Sequence, residues 1–279
     1  MKRREGPTAL IKASYVVHAA AVGAVVVAPH LWPQALAAVA ANHGALTAAG
    51  LWPRSKLLGP NVTRLPAQAV TRREVALTLD DGPNPDVTPQ VLDMLDGAGV
   101  RATFFCIGEE VERRPALARE IVARGHEIEN HSQHHLTRFS LLGPWRMRRE
   151  IAIAQERIAG VIGRAPRFFR PTAGLRNPFL QPILADLGLA LVSWTRRPFD
   201  TRCGDVDAVL TRLTRGLAAG DIMLMHDGNP APTPAGRPVI LEVLPLLLSA
   251  IRQAGLNSVT LATAFDGTDN DGQISRPPA

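Results

Sequence analysis

The pattern of hydrophobic and polar positions divides the chain into four regions. Residues 1–54 contain two apolar stretches, and residues 55–73 are rich in Pro, Gly and Arg. In residues 74–263, short runs rich in β-branched and aromatic residues alternate with stretches of helical periodicity. Residues 264–279 are polar and rich in Gly, Asp and Pro. The pattern predicts an N-terminal hydrophobic membrane anchor, a linker, one α/β domain and a disordered tail.

The apolar stretches at residues 13–28 and 31–52 predict one or two membrane helices. Each is close to the lower limit of the roughly 17–25 residues that cross the hydrocarbon of a bilayer. Basic residues before the first stretch favour the cytoplasmic side, and Arg54 and Lys56 fit a chain that returns to that side. One span would instead leave the rest of the chain outside the membrane, so the topology stays open. A signal peptide is the competing interpretation of the first stretch, although no small-residue cleavage site directly follows it.

The alternation in residues 74–263 predicts a parallel sheet with helices outside it, either as a barrel or as an open sheet. Seven strands are predicted, at residues 75–79, 102–107, 127–129, 168–170, 189–194, 222–225 and 258–261. Six helices are predicted, at residues 89–97, 115–124, 144–159, 178–187, 206–217 and 239–254. In both architectures the chemistry belongs at the carboxyl ends of the strands.

Composition narrows the range of partners. The formal net charge is +6, which favours acidic partners. The arginines are scattered, however, and no basic run is interleaved with aromatic residues, so nucleic acid is not expected as a partner. The two cysteines, Cys106 and Cys203, cannot form a disulfide framework.

Reactive side chains follow the first and third predicted strands. Asp80 and Asp81 close the first strand, where one carboxylate can bind a metal while the other stays free as a base. His131 and His135 follow the third strand, four residues apart, and on a helical turn this spacing lets two imidazoles share one metal ion. Taken alone, Asp-Gly is common turn chemistry and the histidine pair is a weak signal.

Two further residues complete the pattern. Arg170 ends the fourth predicted strand and His226 ends the sixth. Each has a structural explanation by itself, as an ion-pair partner and as a buried core histidine. The combination is the strong signal, because four strand ends of one domain would have to carry such residues by accident.

These motifs together resemble the NodB-homology polysaccharide deacetylase family, which includes chitin, peptidoglycan and chito-oligosaccharide deacetylases. The resemblance covers residues 74–263 and implies a distorted (β/α) barrel with about seven parallel strands. It also implies a hydrolase that acts on carbon–nitrogen bonds other than peptide bonds. The matching motifs are Thr78-Leu79-Asp80-Asp81-Gly82, His131-Ser132-Gln133-His134-His135, Arg170-Pro171-Thr172-Ala173-Gly174, Trp194 to Asp200, and Leu224-Met225-His226.

The resemblance implies a metal site with a base and an acid beside it. Asp81, His131 and His135 would hold one divalent ion, for which Zn²⁺ is the default and Mn²⁺, Co²⁺ or Ni²⁺ also fit. Asp80 would be the general base, and His226 would be the general acid that protonates the departing amine.

The resemblance implies supporting roles as well. Arg170 would pair with Asp80, and Asp200 would keep His226 protonated. The residues placed at the substrate are Leu224, Ala173 and Trp194.

Two motifs depart from the usual family pattern. Thr172 and Ala173 stand where the family usually has Pro and Tyr. In the fourth motif, Arg197 and Thr201 replace the first Asp and the Trp, so that only the second Asp, Asp200, remains. The metal ligands are unaffected, whereas the substrate pocket and the orientation of the acid are put in question.

The expected substrate is an N-acetylated amino sugar of a polysaccharide, an oligosaccharide or a lipid-linked glycan, acted on at the bacterial cell envelope. Membrane lipid is the second expected partner, and the oligomeric state stays open. A catalytically impaired sugar-binding homologue at the membrane is one alternative, because two motifs have drifted. A metal-dependent phosphoesterase is another, although only one set of three ligands is visible.

Overall fold

The computed structural model describes residues 6–266, and its first feature is a helical hairpin. Helices α1 (Ala9–Val27) and α2 (Trp32–Leu51) are joined by a short turn and run antiparallel. Polar side chains meet between them: the Asn42 amide donates to Ser14 Oγ at 2.9 Å. By length and composition, α1 is the one helix among the described residues that is long and apolar enough to cross a membrane.

The rest of the described chain is an α/β barrel of parallel strands, as the resemblance implied. The strands are β1 (Glu74–Asp80), β2 (Thr103–Cys106), β3 (Glu127–Asn130), β4 (Phe168–Phe169), β5 (Ala190–Leu191), β6 (Ile222–His226) and β7 (Asn257–Ser258). The helices are α3 (Ala67–Thr71), α4 (Thr88–Gly97), α5 (Gly108–Arg113), α6 (Pro115–Ala123), α7 (Pro144–Ile162), α8 (Leu180–Leu187), α9 (Val206–Thr214), α10 (Val239–Gln253) and α11 (Leu261–Phe265).

The strands follow the order β5-β4-β3-β2-β1-β6, and β7 pairs with β1. The chain just after β5 reaches β6 through a parallel bridge between Arg196 and Met223, which brings the two ends of the sheet together. The register places Asp80 beside both Phe105 and His226. The last residues of β1 and β6 are therefore neighbours at one end of the barrel.

Strand β1 is buried along its whole length, which explains its nearly continuous apolar sequence. Val75, Leu77 and Leu79 pack outward in the core cluster that includes side chains of α4 and α10. The intervening Thr78 and Asp80 point to the barrel interior, because side chains alternate along a strand. Burial of each large aliphatic side chain contributes about 1.5–3 kcal/mol to the stability of the fold. The apolar outward face of β1 therefore holds the strand in place, and with it the side chains on the interior face.

Two regions differ from the sequence-based expectation of a linker and a tail. Residues 55–73 are packed on the barrel, since Val62 bridges to Val192 and Ala69 is fully buried. The predicted tail begins inside an ordered element, because α11 extends to Phe265, whose ring packs on Phe168 with centroids 5.7 Å apart. The remainder of that predicted tail lies outside the described residues.

Candidate active site

Asp81, His131 and His135 converge at the carboxyl end of the strands. Asp81 Oδ1 lies 3.2 Å from His131 Nε2 and 3.0 Å from His135 Nε2. The three ligand atoms all lie within 4.8 Å of one another. Two nitrogens and one carboxylate oxygen on one side of an ion are the ligand number of a catalytic site that keeps positions open for water and substrate.

The backbone reaches this geometry through left-handed residues and not through the helical turn expected for His131 and His135. Asp81 has φ 74°, Ser132 has φ 67° and His135 has φ 47°. Asp, Ser and His tolerate this region better than β-branched residues do. The His135 N–H donates to Ser132 Oγ at 3.2 Å, which holds the loop after β3. The two imidazoles thus meet through a loop whose course the four-residue spacing did not reveal.

A hydrogen bond fixes the tautomer of His131. Its Nδ1 lies 2.7 Å from the carbonyl oxygen of Arg170, which can only accept, so Nδ1 carries the proton. In the neutral imidazole Nε2 then directs a lone pair at Asp81 Oδ1, a buried oxygen with no hydrogen-bond partner among the described residues. Two acceptors that face each other are repulsive unless a cation lies between them, and the donor set therefore fits a divalent metal.

Asp80 is held by a buried arginine. Arg170 is fully buried, and its Nη1 lies 2.6 Å from Asp80 Oδ1 and 2.9 Å from Thr78 Oγ1. Its Nη2 donates to the carbonyl of Ser193 at 2.9 Å, and the guanidinium stacks 4.0 Å from the centroid of Phe105. A buried charge is tolerated only when it is paired and hydrogen-bonded in this way. The second oxygen, Asp80 Oδ2, stays on the side of His131, 3.8 Å from Nε2.

His226 is bound twice by one buried carboxylate. Its Nδ1 lies 2.8 Å from Asp200 Oδ1, and its backbone N–H donates to Asp200 Oδ2, also at 2.8 Å. Burial lowers the pKa of His226, but the hydrogen bond and charge of Asp200, together with Asp80 and Asp81, raise it to about 9. The imidazole is therefore protonated at neutral pH and can donate a proton through Nε2.

The residues predicted at the substrate surround this arrangement. Leu224 lies on the same face of β6 as His226 and is 1% exposed, so it forms part of the barrel interior below that histidine. Trp194 is buried against the loop after β4, where a side chain on Gly174 would overlap its ring. Ala173, in the same loop, has φ 55°.

Two residues near the site carried no functional prediction. Asp227 follows His226 and is fully buried. Burial, with the charges of Asp81 and Asp80, raises the pKa of Asp227 to about 7, although the hydrogen bond from the Thr88 hydroxyl opposes the shift. The guanidinium of Arg197 lies over the rings of Trp194 and Phe199, at 5.1 Å and 4.9 Å from their centroids. In the sequence, the Asp-Gly step after β6 could have drawn attention to Asp227, and the change from Asp to Arg in the fourth motif could have drawn attention to Arg197.

A cavity of about 310 Å³ opens beside the metal ligands. Asp81 and His135 line it together with Asn84, Glu110 and Gly228. The ligand side chains are therefore within reach of a molecule that enters from solvent.

Comparisons with known proteins identify the family of the chain. The model of the family "Polysaccharide deacetylase" matches residues 67–192. A chitooligosaccharide deacetylase from Bradyrhizobium sp. (strain ANU 289) is 39% identical over 159 residues, which are 57% of this chain and 72% of that protein. A peptidoglycan-N-acetylglucosamine deacetylase from Bacillus cereus is 32% identical over 190 residues, 67% of this chain and 86% of that protein.

The solved structures show the same fold. A family 4 carbohydrate esterase from Streptomyces lividans, in complex with acetate, matches with a TM-score of 0.60 and 34% identity. The match covers 66% of this chain and 91% of that chain. The resemblance drawn from the motifs and the barrel it implied are confirmed, and the protein is a member of the metal-dependent polysaccharide deacetylase family.

Proposed function

We propose that this chain hydrolyses the N-acetyl group of an amino sugar in a glycan. The observation that carries the proposal is the assembly of three parts at one barrel end. These parts are an Asp/His/His ligand set, a carboxylate fixed by a buried arginine, and an imidazole fixed by a buried carboxylate. The chitooligosaccharide and peptidoglycan deacetylases among its relatives act on substrates of this kind.

Asp81, His131 and His135 would hold the metal, and Zn²⁺ suits two imidazoles and one carboxylate best. When bound, a divalent cation polarises the acyl carbonyl and lowers the pKa of water at the site. Among the described residues there is one such group of three ligands, which argues against a two-metal phosphoesterase.

The chain's own residues supply the proton transfers. Asp80 accepts a proton from the attacking water through Oδ2, while Arg170 holds the other oxygen and the orientation of the carboxylate. The water oxygen forms the new bond to the acyl carbon. His226 then gives its proton to the sugar nitrogen as the carbon–nitrogen bond breaks, so that acetate and an amine leave. The presence of both groups argues against a mere sugar-binding homologue.

The substrate-facing residues fit a small acyl group. Leu224, beneath His226 on the interior face of β6, would contact the acetyl methyl. Trp194 and Ala173 would border the sugar. With α1 as a membrane anchor, the protein would act at the bacterial cell envelope.

Acetate release tests the proposal directly. The full-length protein in detergent should release acetate from N-acetylated glycans, lose that activity with a chelator, and regain it when Zn²⁺, Mn²⁺, Co²⁺ or Ni²⁺ is returned. Full acetate release in the presence of chelator would contradict the proposed metal dependence. Phosphate release from phosphoesters in place of acetate release would contradict the proposed deacetylation.

A further inference from the structure

The hairpin of α1 and α2 projects from the barrel with its apolar sides uncovered. Within the two helices only Ser14, Leu46, Ala49 and Gly50 are buried. No Asp, Glu, Lys or Arg occurs between Lys12 and Arg54. Helices of 19 and 20 residues are about 30 Å long, which matches the hydrocarbon thickness of a bilayer. Of the two helices, α1 is the one apolar enough to cross a bilayer, and α2 packs antiparallel against it, so both chain ends of the hairpin, with Lys12 and Arg54, would lie on one side of the membrane.

The base of the hairpin is attached to the end of the barrel that carries the site. The Arg176 N–H donates to the Gly50 carbonyl at 3.2 Å, and Ser193 Oγ donates to the Pro53 carbonyl at 2.7 Å. Arg54 donates to the carbonyl of Thr195 at 3.3 Å. Residue 176 lies in the loop after β4, and residues 193 and 195 follow β5. The same loops hold Ala173, Trp194 and Asp200, so a bilayer that held the hairpin would lie next to the site.

Exposed apolar side chains continue this surface on the barrel itself. Beyond residue 57, six large hydrophobic side chains of the described chain are exposed, and four of them lie in loops or first turns that follow a strand. They are Leu141 and Trp145 after β3, Phe179 after β4 and Phe199 after β5, with exposures of 83%, 86%, 46% and 49%. In a parallel barrel all these loops lie at the end that carries the catalytic residues.

Unpaired basic residues accompany the apolar ones. Arg138, Arg146 and Arg149 flank Leu141 and Trp145, are exposed, and have no carboxylate within 4.0 Å among residues 6–266. Basic side chains at a membrane surface are attracted to anionic headgroups. Apolar and basic side chains on one face are complementary to an anionic bilayer and not to a neutral sugar polymer.

Arg197 adds a cation inside the site. Its Nε is buried and has no hydrogen-bond partner among the described residues, and it forms no ion pair there. Burial lowers the pKa of this guanidinium and the charge of Arg202 lowers it further, whereas the charges of Asp80 and Asp200 raise it. The guanidinium lies 5.1 Å from the ring centroid of Trp194, and a cation near the site favours an anionic group on the substrate, because planar guanidinium donors match the oxygens of phosphate and of carboxylate.

We propose that the substrate is an N-acylated amino sugar joined through phosphate to a membrane lipid, presented to the strand-end face while that face lies on an anionic bilayer. The proposal rests on the proposed deacetylation for its chemistry. It assigns the hairpin and the exposed loop residues to the bilayer, and Arg197 to the phosphate.

The test compares substrates that share one sugar. Full-length protein in vesicles of phosphatidylglycerol and phosphatidylethanolamine is given N-acetylglucosaminyl diphosphopolyprenol in the bilayer, soluble N-acetylglucosamine 1-phosphate, or soluble N-acetylated chitooligosaccharide. Acetate release gives kcat/KM for each. We expect the lipid-linked sugar to exceed both soluble ones at least tenfold. Preference for the sugar phosphate without lipid would overturn the bilayer assignment.

Variants then separate the two contacts. Arg197→Ala and the double variant Leu141→Ser/Trp145→Ser should each lower the ratio of kcat/KM for lipid-linked over oligosaccharide substrate at least tenfold, with Arg197→Lys in between. The matched controls Arg119→Ala on α6 and Leu246→Ser on α10 should leave the ratio unchanged. Equal kcat/KM for the lipid-linked sugar and the oligosaccharide would overturn this inference alone, whereas no acetate from any substrate would overturn the proposed function as well.

Discussion

At the scale of single residues, the site directs two adjacent carboxylates to different partners. Asp81 faces the imidazoles of the ligand set, whereas Asp80, the residue before it, faces Arg170. Adjacent side chains at the end of a strand point in different directions, and the left-handed φ of Asp81 increases that difference. One sequence motif therefore places one carboxylate at the two imidazoles and the other at the buried arginine.

Asp80→Asn is expected to retain the metal and lose about 10²–10⁴-fold in kcat, because the amide keeps the hydrogen bond with Arg170 but cannot accept a proton from water. Metal content by elemental analysis and acetate release check the two halves of this prediction. Near-normal turnover with a full complement of metal would remove Asp80 from the role of base.

The Asp200–His226 pair predicts a pH dependence. The acid form of His226 is present below a pKa of about 9, so kcat/KM should fall as the pH rises through that value. Asp200→Asn removes the charge that raises the pKa, and the alkaline limb should move to lower pH. A pH profile of kcat/KM for both proteins measures the shift, and an unmoved alkaline limb would count against Asp200 as the partner.

The same pair predicts how stability depends on pH. A histidine whose pKa is raised in the folded state stabilises fully below its unfolded value near 6.5, and this stabilisation is lost as the pH rises through about 9. Asp200→Asn should therefore reduce the free energy of unfolding more at pH 6 than at pH 10. Denaturant titrations at the two pH values measure this difference independently of activity, and an equal loss at both would exclude the linkage.

At the scale of secondary structure elements, the junction between α2 and the barrel depends on close backbone contact. A Cβ on Gly50 would overlap the carbonyl oxygen of Arg176, whereas a Cβ on Gly44 in the same helix meets nothing within 4 Å. The closeness lets the Arg176 N–H reach the Gly50 carbonyl. Only the residue without a side chain permits this approach.

Gly50→Ala is expected to destabilise the junction by about 1–3 kcal/mol through overlap, and to speed proteolytic cleavage between α2 and α3. Gly44→Ala is the control and should be neutral, or stabilising by up to about 1 kcal/mol through helix propensity. Limited proteolysis of the full chain in detergent compares them. Equal cleavage rates would show that the contact does not hold the hairpin to the barrel.

The strands also show which parts of the fold could be predicted from the sequence. Strand β1 was predictable because burial on both faces leaves a nearly continuous apolar run. The strand predicted at residues 189–194 is only Ala190–Leu191, because β4 itself ends at Phe169 and from Ser193 onward the backbone bonds to Val62 and to β6. These partners lie far away in the chain, and local periodicity carries no information about them.

At the scale of the whole molecule, the site is a product of topology. Its residues come from the ends of β1, β3, β4 and β6 and the segment after β5, and the parallel arrangement brings them to one place. The rule that chemistry collects at strand ends therefore predicted which residues belong together. The left-handed backbone at Ser132 and His135, the burial of Asp227 and the position of Arg197 depend on packing between loops, and no local pattern encodes that packing.

A metal at this place links segments that the chain separates widely, because Asp81 follows β1 and both histidines follow β3. Binding to the folded state alone stabilises it by about 2.7 kcal/mol at a metal concentration 100 times the Kd, so Zn²⁺ should raise the Tm of metal-free protein by several degrees. His135→Ala should abolish that rise. His134→Ala is the matched control and should keep it, because His134 is directed to Glu150, 2.9 Å from Nδ1. Thermal unfolding with and without Zn²⁺ measures the shift, and an undiminished rise in His135→Ala would mean that the ion binds elsewhere.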